Sequence, residues 1–198
     1  MYKRQNLIQT PSLVERAQQG REVGYAIIAV GTIGIIIAIY KLIELAGVAR
    51  AVKNQASSKA ADPRNPLGRV LKVGQDNFEK DIDTLELKLA EAIMAERPAI
   101  ERWIGAVRII SVVAPLAGLL GTVTGMIVTF QMITLYGTGD PKLMAGGISQ
   151  ALVTTVLGLL VAIPTTLLHS FTASSARGII STLEEQSTGI LAEHSEAK

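Results

Sequence analysis

The sequence predicts an all-α membrane protein with three transmembrane helices and long helical extensions on the cytoplasmic side. Of its 198 residues, 48% are hydrophobic and only 18% are charged. The apolar residues are gathered into blocks, whereas a soluble domain of this size spreads them along the chain. Three blocks, at 23–40, 109–139 and 143–176, contain no Asp, Glu, Lys or Arg. A helix needs about 20 predominantly apolar residues to cross a bilayer, which each block supplies or approaches.

The basic residues predict how the spans are oriented. The segment from Lys41 to Arg108 holds twelve of the nineteen Lys and Arg, whereas the link between the second and third blocks holds only Lys142. Cytoplasmic loops are enriched in Lys and Arg. We therefore expect an outer N-terminal amphipathic segment at 1–22, spans at 23–47, 105–136 and 144–170, a cytoplasmic helical region at 48–104, an outer turn at 137–143 and a cytoplasmic tail at 171–198.

The cytoplasmic region contains one clear helical pattern. Apolar residues recur at three- and four-residue spacing between Asp76 and Arg97, which predicts an amphipathic helix there. We expect Pro98 to interrupt or kink it, because proline lacks the amide hydrogen that the helix needs. Before it, the chain is mixed from residue 48 to 75, with a break at 61–68. At the end of the first span, Lys41 and Glu44 lie one turn apart and can pair.

Small and hydroxyl-bearing residues line one face of the second span. At 100° per residue, five of them fall within roughly 60° of one another: Ser111, Gly118, Thr122, Gly125 and Thr129. In lipid, small residues let helix backbones approach closely, because packing drives association there. This face is predicted to contact another helix or to line a pore.

The third span divides more sharply into two faces. An arc of about 160° holds its small and polar residues: Gly147, Gln150, Ala151, Thr154, Thr155, Gly158, Ala162, Thr165 and Thr166. The opposite face, expected to meet lipid or a neighbouring subunit, holds Leu152, Val153, Val156, Leu157, Leu160 and Leu167. So broad a polar arc can line a wet space. Threonines in membrane helices also commonly bond only their own preceding carbonyls, and for Thr122 and Thr155 the residues alone leave both interpretations open.

Several kinds of chemistry are not expected. The chain has no cysteine, and two histidines, His169 and His194, cannot build a metal site alone. No nucleophile–base pair or phosphate loop is visible, so we predict neither an enzyme nor a cofactor. No basic cluster interleaved with aromatic residues suggests nucleic-acid binding. Between Glu101 and Glu184 the one carboxylate is Asp140, in the predicted outer turn.

Two segments carry a resemblance to a known family. They read Ala114-Pro-Leu-Ala-Gly-Leu-Leu-Gly-Thr-Val-Thr-Gly125 and Gly146-Gly-Ile-Ser-Gln-Ala-Leu-Val-Thr-Thr-Val-Leu-Gly-Leu-Leu-Val-Ala-Ile-Pro164. This pattern resembles the MotA/TolQ/ExbB proton-channel family, and the ExbB/TolQ branch in particular, since three spans differ from the four of the flagellar stator subunit. Thr122 and Thr155 match the pore-lining threonines of the family. Gln150 departs from the pattern, because ExbB and TolQ usually carry Glu there.

The resemblance implies an assembly and a role. It implies a homopentameric ring in the bacterial inner membrane, with the N-terminus in the periplasm and the C-terminus in the cytoplasm. The pore of the ring would hold a single-span ExbD- or TolR-like partner that contributes a membrane Asp. The complex would couple the proton motive force to a TonB- or TolA-like transducer for outer-membrane import. The alternatives are a structural membrane scaffold without ion conduction and a related motor for gliding or envelope maintenance.

Overall fold

The computed structural model describes residues 21–58, 61–137 and 141–197, and over these residues the chain forms five helices. They are α1 (Arg21–Ala56), α2 (Pro66–Asp76), α3 (Ile82–Glu101), α4 (Ile104–Tyr136) and α5 (Pro141–Glu196). By length and composition, α1, α4 and α5 can each cross a membrane. The prediction of an all-α protein with three membrane-spanning helices is confirmed. Residues 1–20 of the predicted N-terminal segment, and Asp140 in the turn, lie outside the described residues.

The predicted helix from Asp76 to Arg97 begins and ends elsewhere. Asp76 ends α2, and α3 begins only at Ile82. The Asp81 carboxylate caps the new helix by accepting a 3.0 Å hydrogen bond from the Thr84 amide. Pro98 does not interrupt α3, which continues to Glu101. The break falls instead at Trp103, whose φ of +69° lies in the left-handed region that bulky residues rarely adopt.

The chain divides into two compact units. Unit 1 comprises the described residues up to Gly34 together with Ile109–Thr166. In it α1 meets its neighbours through glycines. A Cβ placed on Gly34 would lie 2.9 Å from Ile110 Cγ2, and one on Gly31 would meet Val161. Unit 1 is therefore packed by close approach of helix backbones.

Unit 2 comprises Ile35–Arg108 and the described residues from Leu167 onward, and it holds an apolar core of the ordinary kind. One cluster of buried residues joins α1, α3, α5 and their neighbours: Leu45, Val52, Leu67, Ile100, Ile104, Ala176, Ile179, Ile180 and Leu183. A second cluster joins α2 to α3 through Val70, Leu85 and Leu89. Burying one such side chain contributes about 1.5–3 kcal/mol.

A polar network orders the connection between α1 and α2. The Gln55 Oε1 atom accepts hydrogen bonds from the Asp62 amide at 2.9 Å and from Asn65 Nδ2 at 3.2 Å. The Asn65 Oδ1 atom accepts from the Gly68 amide at 2.8 Å and so caps α2. The segment predicted as a break is thus a defined turn held by buried hydrogen bonds.

Lys41 joins α1 to the end of α3. Its side chain is 1% exposed, and Nζ donates to Glu44 Oε1 and to the Ala99 carbonyl oxygen, each at 3.1 Å. The predicted pairing with Glu44 is confirmed. The last four carbonyls of a helix have no amide partner within the helix, and a positive charge is favoured at that end. Lys41 therefore caps α3 from another helix.

Candidate functional site: the seam between α4 and α5

The small residues of α4 and α5 meet along one line, which we call the seam. Gly118 faces Gly158, Gly121 faces Thr154, Gly125 faces Ala151, and Thr129 faces Gly147. Rising numbers on α4 meet falling numbers on α5, so the two helices run antiparallel in this register. Four of the five small residues predicted on the second span thus meet small residues of the third span or lie beside such a contact.

The backbones approach most closely at Gly118 and Gly158. A Cβ added to Gly158 would lie 2.7 Å from the Ala114 carbonyl oxygen and 3.1 Å from Gly118 Cα. One added to Gly118 would lie 2.9 Å from the Thr154 carbonyl oxygen. Real Cβ atoms essentially never come within 3.0 Å of a heavy atom of a residue elsewhere in the fold. Any side chain here would force the helices apart, so glycine is needed on both.

The Gly118 carbonyl is the polar centre of the seam. It accepts a hydrogen bond from Thr155 Oγ1 at 3.2 Å. Thr154 Oγ1 lies 3.3 Å away, but its single hydrogen has a closer acceptor in the Ala151 carbonyl oxygen at 2.7 Å. In a regular helix the Gly118 carbonyl is also the acceptor for the Thr122 amide, four residues later. Through this oxygen Thr155 and the turn that carries Thr122 are connected, although they lie on different helices.

Thr122 and Thr155 differ from the other hydroxyls of the seam in exposure. Thr154 and Thr129 are 2% and 3% exposed, and each donates to a carbonyl of its own helix. Thr122 and Thr155 are only partly buried. Thr122 Oγ1 donates to the Leu119 carbonyl of its own helix at 2.6 Å, whereas Thr155 donates across to α4. Thr122 and Thr155 are therefore partly accessible from outside the seam.

Comparison with known proteins shows what kind of chain carries this seam. Residues 62–185, which include all of it, match the family described as "MotA/TolQ/ExbB proton channel family". The chain belongs to this family. The resemblance inferred from residues 114–125 and 146–164 is confirmed.

Three relatives of this family member show how far the similarity extends. A "Putative biopolymer transport protein ExbB homolog" of Methanothermobacter thermautotrophicus is 31% identical over 180 residues, covering 81% of this chain and 62% of the relative. An "ExbB-like 3" protein of Synechocystis is 43% identical over 83 residues, which is 41% of this chain and 40% of that one. The "Biopolymer transport protein ExbB" of Aquifex aeolicus is 45% identical over 64 residues, 32% and 43% of the two chains. The chain thus spans less than two thirds of the length of these relatives.

The remaining predicted site residues of this MotA/TolQ/ExbB family member differ in burial. Ser111, Ala151, Gly158 and Ala162 are buried, whereas Gly147 and Gln150 are partly exposed. On the opposite face of α5 most of the large residues are exposed as expected, with Leu152 at 61%. Val153 is partly buried, and Leu157 is buried, at 7% exposed. Leu157 lies only about 60° around the helix from Thr154, so its side chain is on the side of α5 that packs against other helices.

The seam offers oxygen atoms that can accept hydrogen bonds, and hydroxyl and amide donors, but no group that titrates near neutral pH. Hydroxyls and carbonyls come from α4 and α5, and Gln150 adds an amide. Sequence reasoning identified the threonines but missed the Gly118 carbonyl as the acceptor of Thr155, because a backbone oxygen leaves no signal in residue type. Among the described residues no group of three His, Cys, Asp or Glu is placed to hold a metal ion.

Proposed function

We propose that this chain is the channel-forming subunit of an inner-membrane ion-driven complex. Five copies form a ring around a single-span ExbD- or TolR-like partner that carries a membrane Asp. The complex couples the proton motive force to a TonB- or TolA-like transducer for outer-membrane import. Membership of a proton-channel family and relatives named for biopolymer transport support this function. The observation that carries it is the Thr155–Gly118 hydrogen bond beside the turn of Thr122.

The proposed pathway uses hydroxyls to hold water beside an acid from another chain. A hydroxyl that donates to a carbonyl can still accept through its oxygen, so Thr155 can receive a hydrogen bond from water or hydronium. Thr122 has the same capacity, since it donates to Leu119. A charge in the bilayer centre costs several kcal/mol unless polar groups solvate it. The threonines lower this cost, and the partner's carboxylate binds and releases the proton.

Replacing Thr155 by valine tests this role. Valine keeps the shape and removes the hydroxyl, and Thr155→Ser restores the hydroxyl alone. A hydrogen bond to a charged group is worth about 1.5–3 kcal/mol, so we expect Thr155→Val to slow proton uptake into proteoliposomes roughly ten- to a hundredfold. The protein is purified together with its natural partner, and assembly is checked for every variant.

Thr124→Val is the matched control. Thr124 is an exposed hydroxyl on α4 that donates to carbonyls of its own helix at 3.0 and 3.1 Å. Its loss should leave proton uptake unchanged. If Thr155→Val assembles normally and conducts as well as Thr124→Val, the hydroxyl serves packing alone and the scaffold alternative replaces the channel.

The composition of the complex is tested by native mass spectrometry after gentle purification from the native membrane. Five copies with a small single-span protein bearing a membrane Asp support the proposal and identify the energised system. A ring that never retains such a protein contradicts the proposed source of the proton-binding acid.

A further inference from the structure

Basic side chains come together at the ends of the uncharged stretches of α4 and α5, and we call them the cationic cluster. The cluster comprises Arg108 on α4 and His169 and Arg177 on α5. Both arginines are exposed, and His169 is partly buried. Arg108 and Arg177 are each near enough to His169 for their charges to act on its imidazole. Three groups that can donate hydrogen bonds to an anion therefore lie close to one another.

Packing within unit 2 brings α4 and α5 together at this point. Ile104 of α4 and Ala176 of α5 belong to one buried cluster. Arg108 lies one turn after Ile104, and Arg177 directly follows Ala176. Helical side chains lean toward the N-terminus of their helix, so Arg177 leans back along α5 toward His169. By the same rule Arg108 leans along α4 toward Ile104. The two guanidinium groups therefore reach the same region from two helices.

The helices around the cationic cluster bring little negative charge to it. Helix α4 carries no acidic residue, and α5 carries none before Glu184. At this end of α1 and α3 the acids are already paired, Glu44 with Lys41 and Glu101 with Arg97. The cluster therefore has a net positive charge, which favours binding of an acidic group from another molecule.

The cationic cluster lies on the same helix faces as the two proposed pathway threonines. On α4, Arg108 is fourteen residues from Thr122, and on α5, His169 is fourteen residues from Thr155. At 100° per residue, this spacing returns to within about 40° of the starting direction. In the proposed complex these faces meet the membrane helix of the partner, whereas the surrounding lipid meets other faces. The partner is therefore the molecule that passes the cluster.

We propose that the cationic cluster docks an acidic side chain that flanks the membrane helix of the partner. The inference rests on the proposed function and adds a second contact with the same partner. An arginine can donate two parallel hydrogen bonds to one carboxylate, and the imidazole N–H of His169 adds a further donor. A carboxylate held there fixes the height of the membrane Asp beside Thr122 and Thr155.

The spacing along α4 and α5 predicts where this acid lies in the sequence of the partner. Fourteen residues of helix span about 20 Å. The docked acid is therefore about fourteen residues from the membrane Asp if the partner is helical between them. It is about six residues away if that segment is extended, since an extended chain rises about 3.3 Å per residue.

Zero-length cross-linking tests the contact in the complex purified with its natural partner. Arg108→Lys and Arg177→Lys each keep the positive charge and supply a primary amine. A water-soluble carbodiimide joins such an amine to a carboxylate in direct contact. Arg50→Lys, at an exposed position on α1, is the matched control. We expect both cluster variants to give several-fold more conjugate with the partner than the control, and mass spectrometry of the peptides identifies the coupled acid.

Removal of the charge gives an independent measurement. The double variant Arg108→Gln/Arg177→Gln should lose the partner at a several-fold lower salt concentration than the wild type, because salt screens the remaining charge attraction. Arg50→Gln is the control and should retain the partner as the wild type does. For the same variants, native mass spectrometry of the detergent-solubilised complex with added phosphatidylglycerol counts the bound lipid.

The outcomes separate this inference from the proposed function. If the wild type retains the single-span partner but the cluster lysines couple to it no more than the control lysine, the docking site is wrong and the channel proposal stands. Coupling to a carboxylate of this chain also overturns the docking site. So does a double variant that retains the partner normally and loses only bound phosphatidylglycerol, since the cluster is then a lipid site. If the wild type never retains a single-span protein, both proposals fail.

Discussion

The helices within unit 1 and the helices within unit 2 are packed by opposite means. In unit 1 the helices pack where side chains are missing, as at Gly118 and Gly158. In unit 2 they pack where side chains are largest, as at Leu89 and Leu183. Helix α5 takes part in both, with small residues in its first half and Ile179 and Leu183 in its second. One helix thus follows two packing rules along its length.

The difference fits the predicted surroundings, because unit 1 holds most of the predicted second and third spans and unit 2 holds the region predicted to be cytoplasmic. Lipid tails are as apolar as leucine, so burying a large side chain in a membrane gains nothing, and close contact between backbones must supply the attraction. In water the burial of apolar surface is the dominant favourable term. Accordingly the large residues of unit 1 are on its outside, as with Leu116 and Leu119, both 58% exposed, whereas Leu85 and Leu89 are fully buried.

The largest effect should come from truncating a side chain in the core of unit 2. Leu89 is 0% exposed, and Leu89→Ala removes buried surface and leaves a cavity, which costs about 2–5 kcal/mol. The control on the same helix is Ile82→Ala, since Ile82 is 43% exposed. Denaturant unfolding of the detergent-solubilised protein, followed by circular dichroism, measures both. An equal loss for the two variants would contradict the description of Leu89 as core.

In unit 1 the damaging change is the addition of a single methyl group. Gly158→Ala places a Cβ where only 2.7 Å separates it from the Ala114 carbonyl oxygen, and overpacking of this kind costs about 1–3 kcal/mol. Gly146→Ala on the same helix is the control, because a Cβ there meets nothing within 4 Å. Gly158→Ala should lower the midpoint temperature of thermal unfolding in detergent, and Gly146→Ala should not. Equal midpoints would mean that the seam is looser than described.

The smallest effect should come from the charged surface of unit 2, where an ion pair contributes to stability. Lys88 donates a hydrogen bond to Glu91 and lies close enough for charge attraction, so the pKa of that carboxyl is lowered from its usual value of 4.5. A lowered pKa in the folded state means that the pair stabilises the fold above the ordinary value and loses this contribution as pH falls through the lowered one. We expect the wild type and Lys88→Met to unfold at the same temperature in acid and to separate slightly toward neutral pH. If the difference between the two unfolding temperatures instead widened in acid, the pKa of Glu91 would be shifted in the opposite direction.

The fold was predictable where residue pattern and environment agree. Uninterrupted apolar blocks predicted α1, α4 and α5, because a bilayer imposes a minimum length. The start of α3 was misplaced because Asp76 and Asp81 are both plausible helix-boundary residues and only the tertiary structure selects between them. Helix α2 was missed, since the turn before it is stabilised by Gln55, which is distant in the sequence from Asn65 and Gly68.

The candidate site was predictable as a face but not as a set of bonds. Helical periodicity placed Thr122, Thr154 and Thr155 among small residues, and the structure shows Thr155 donating across to the Gly118 carbonyl of α4 while Thr154 donates to Ala151 of its own helix. The choice of acceptor depends on the register between α4 and α5, and residue type does not determine that register. Leu157 shows the same limit, because its burial depends on how α5 is rotated against its neighbours.

The residue at the break between α3 and α4 gives the protein an optical reporter. Trp103 is the single tryptophan of the chain, and it is 49% exposed with the Arg102 guanidinium carbon 5.5 Å from its ring centroid. All tryptophan fluorescence from this protein therefore originates at one point, where the backbone turns from a charged helix into an apolar one. A half-exposed indole changes its emission wavelength when its contact with water or lipid changes. Rearrangement of this junction during the proposed transport cycle can thus be followed in the unlabelled protein.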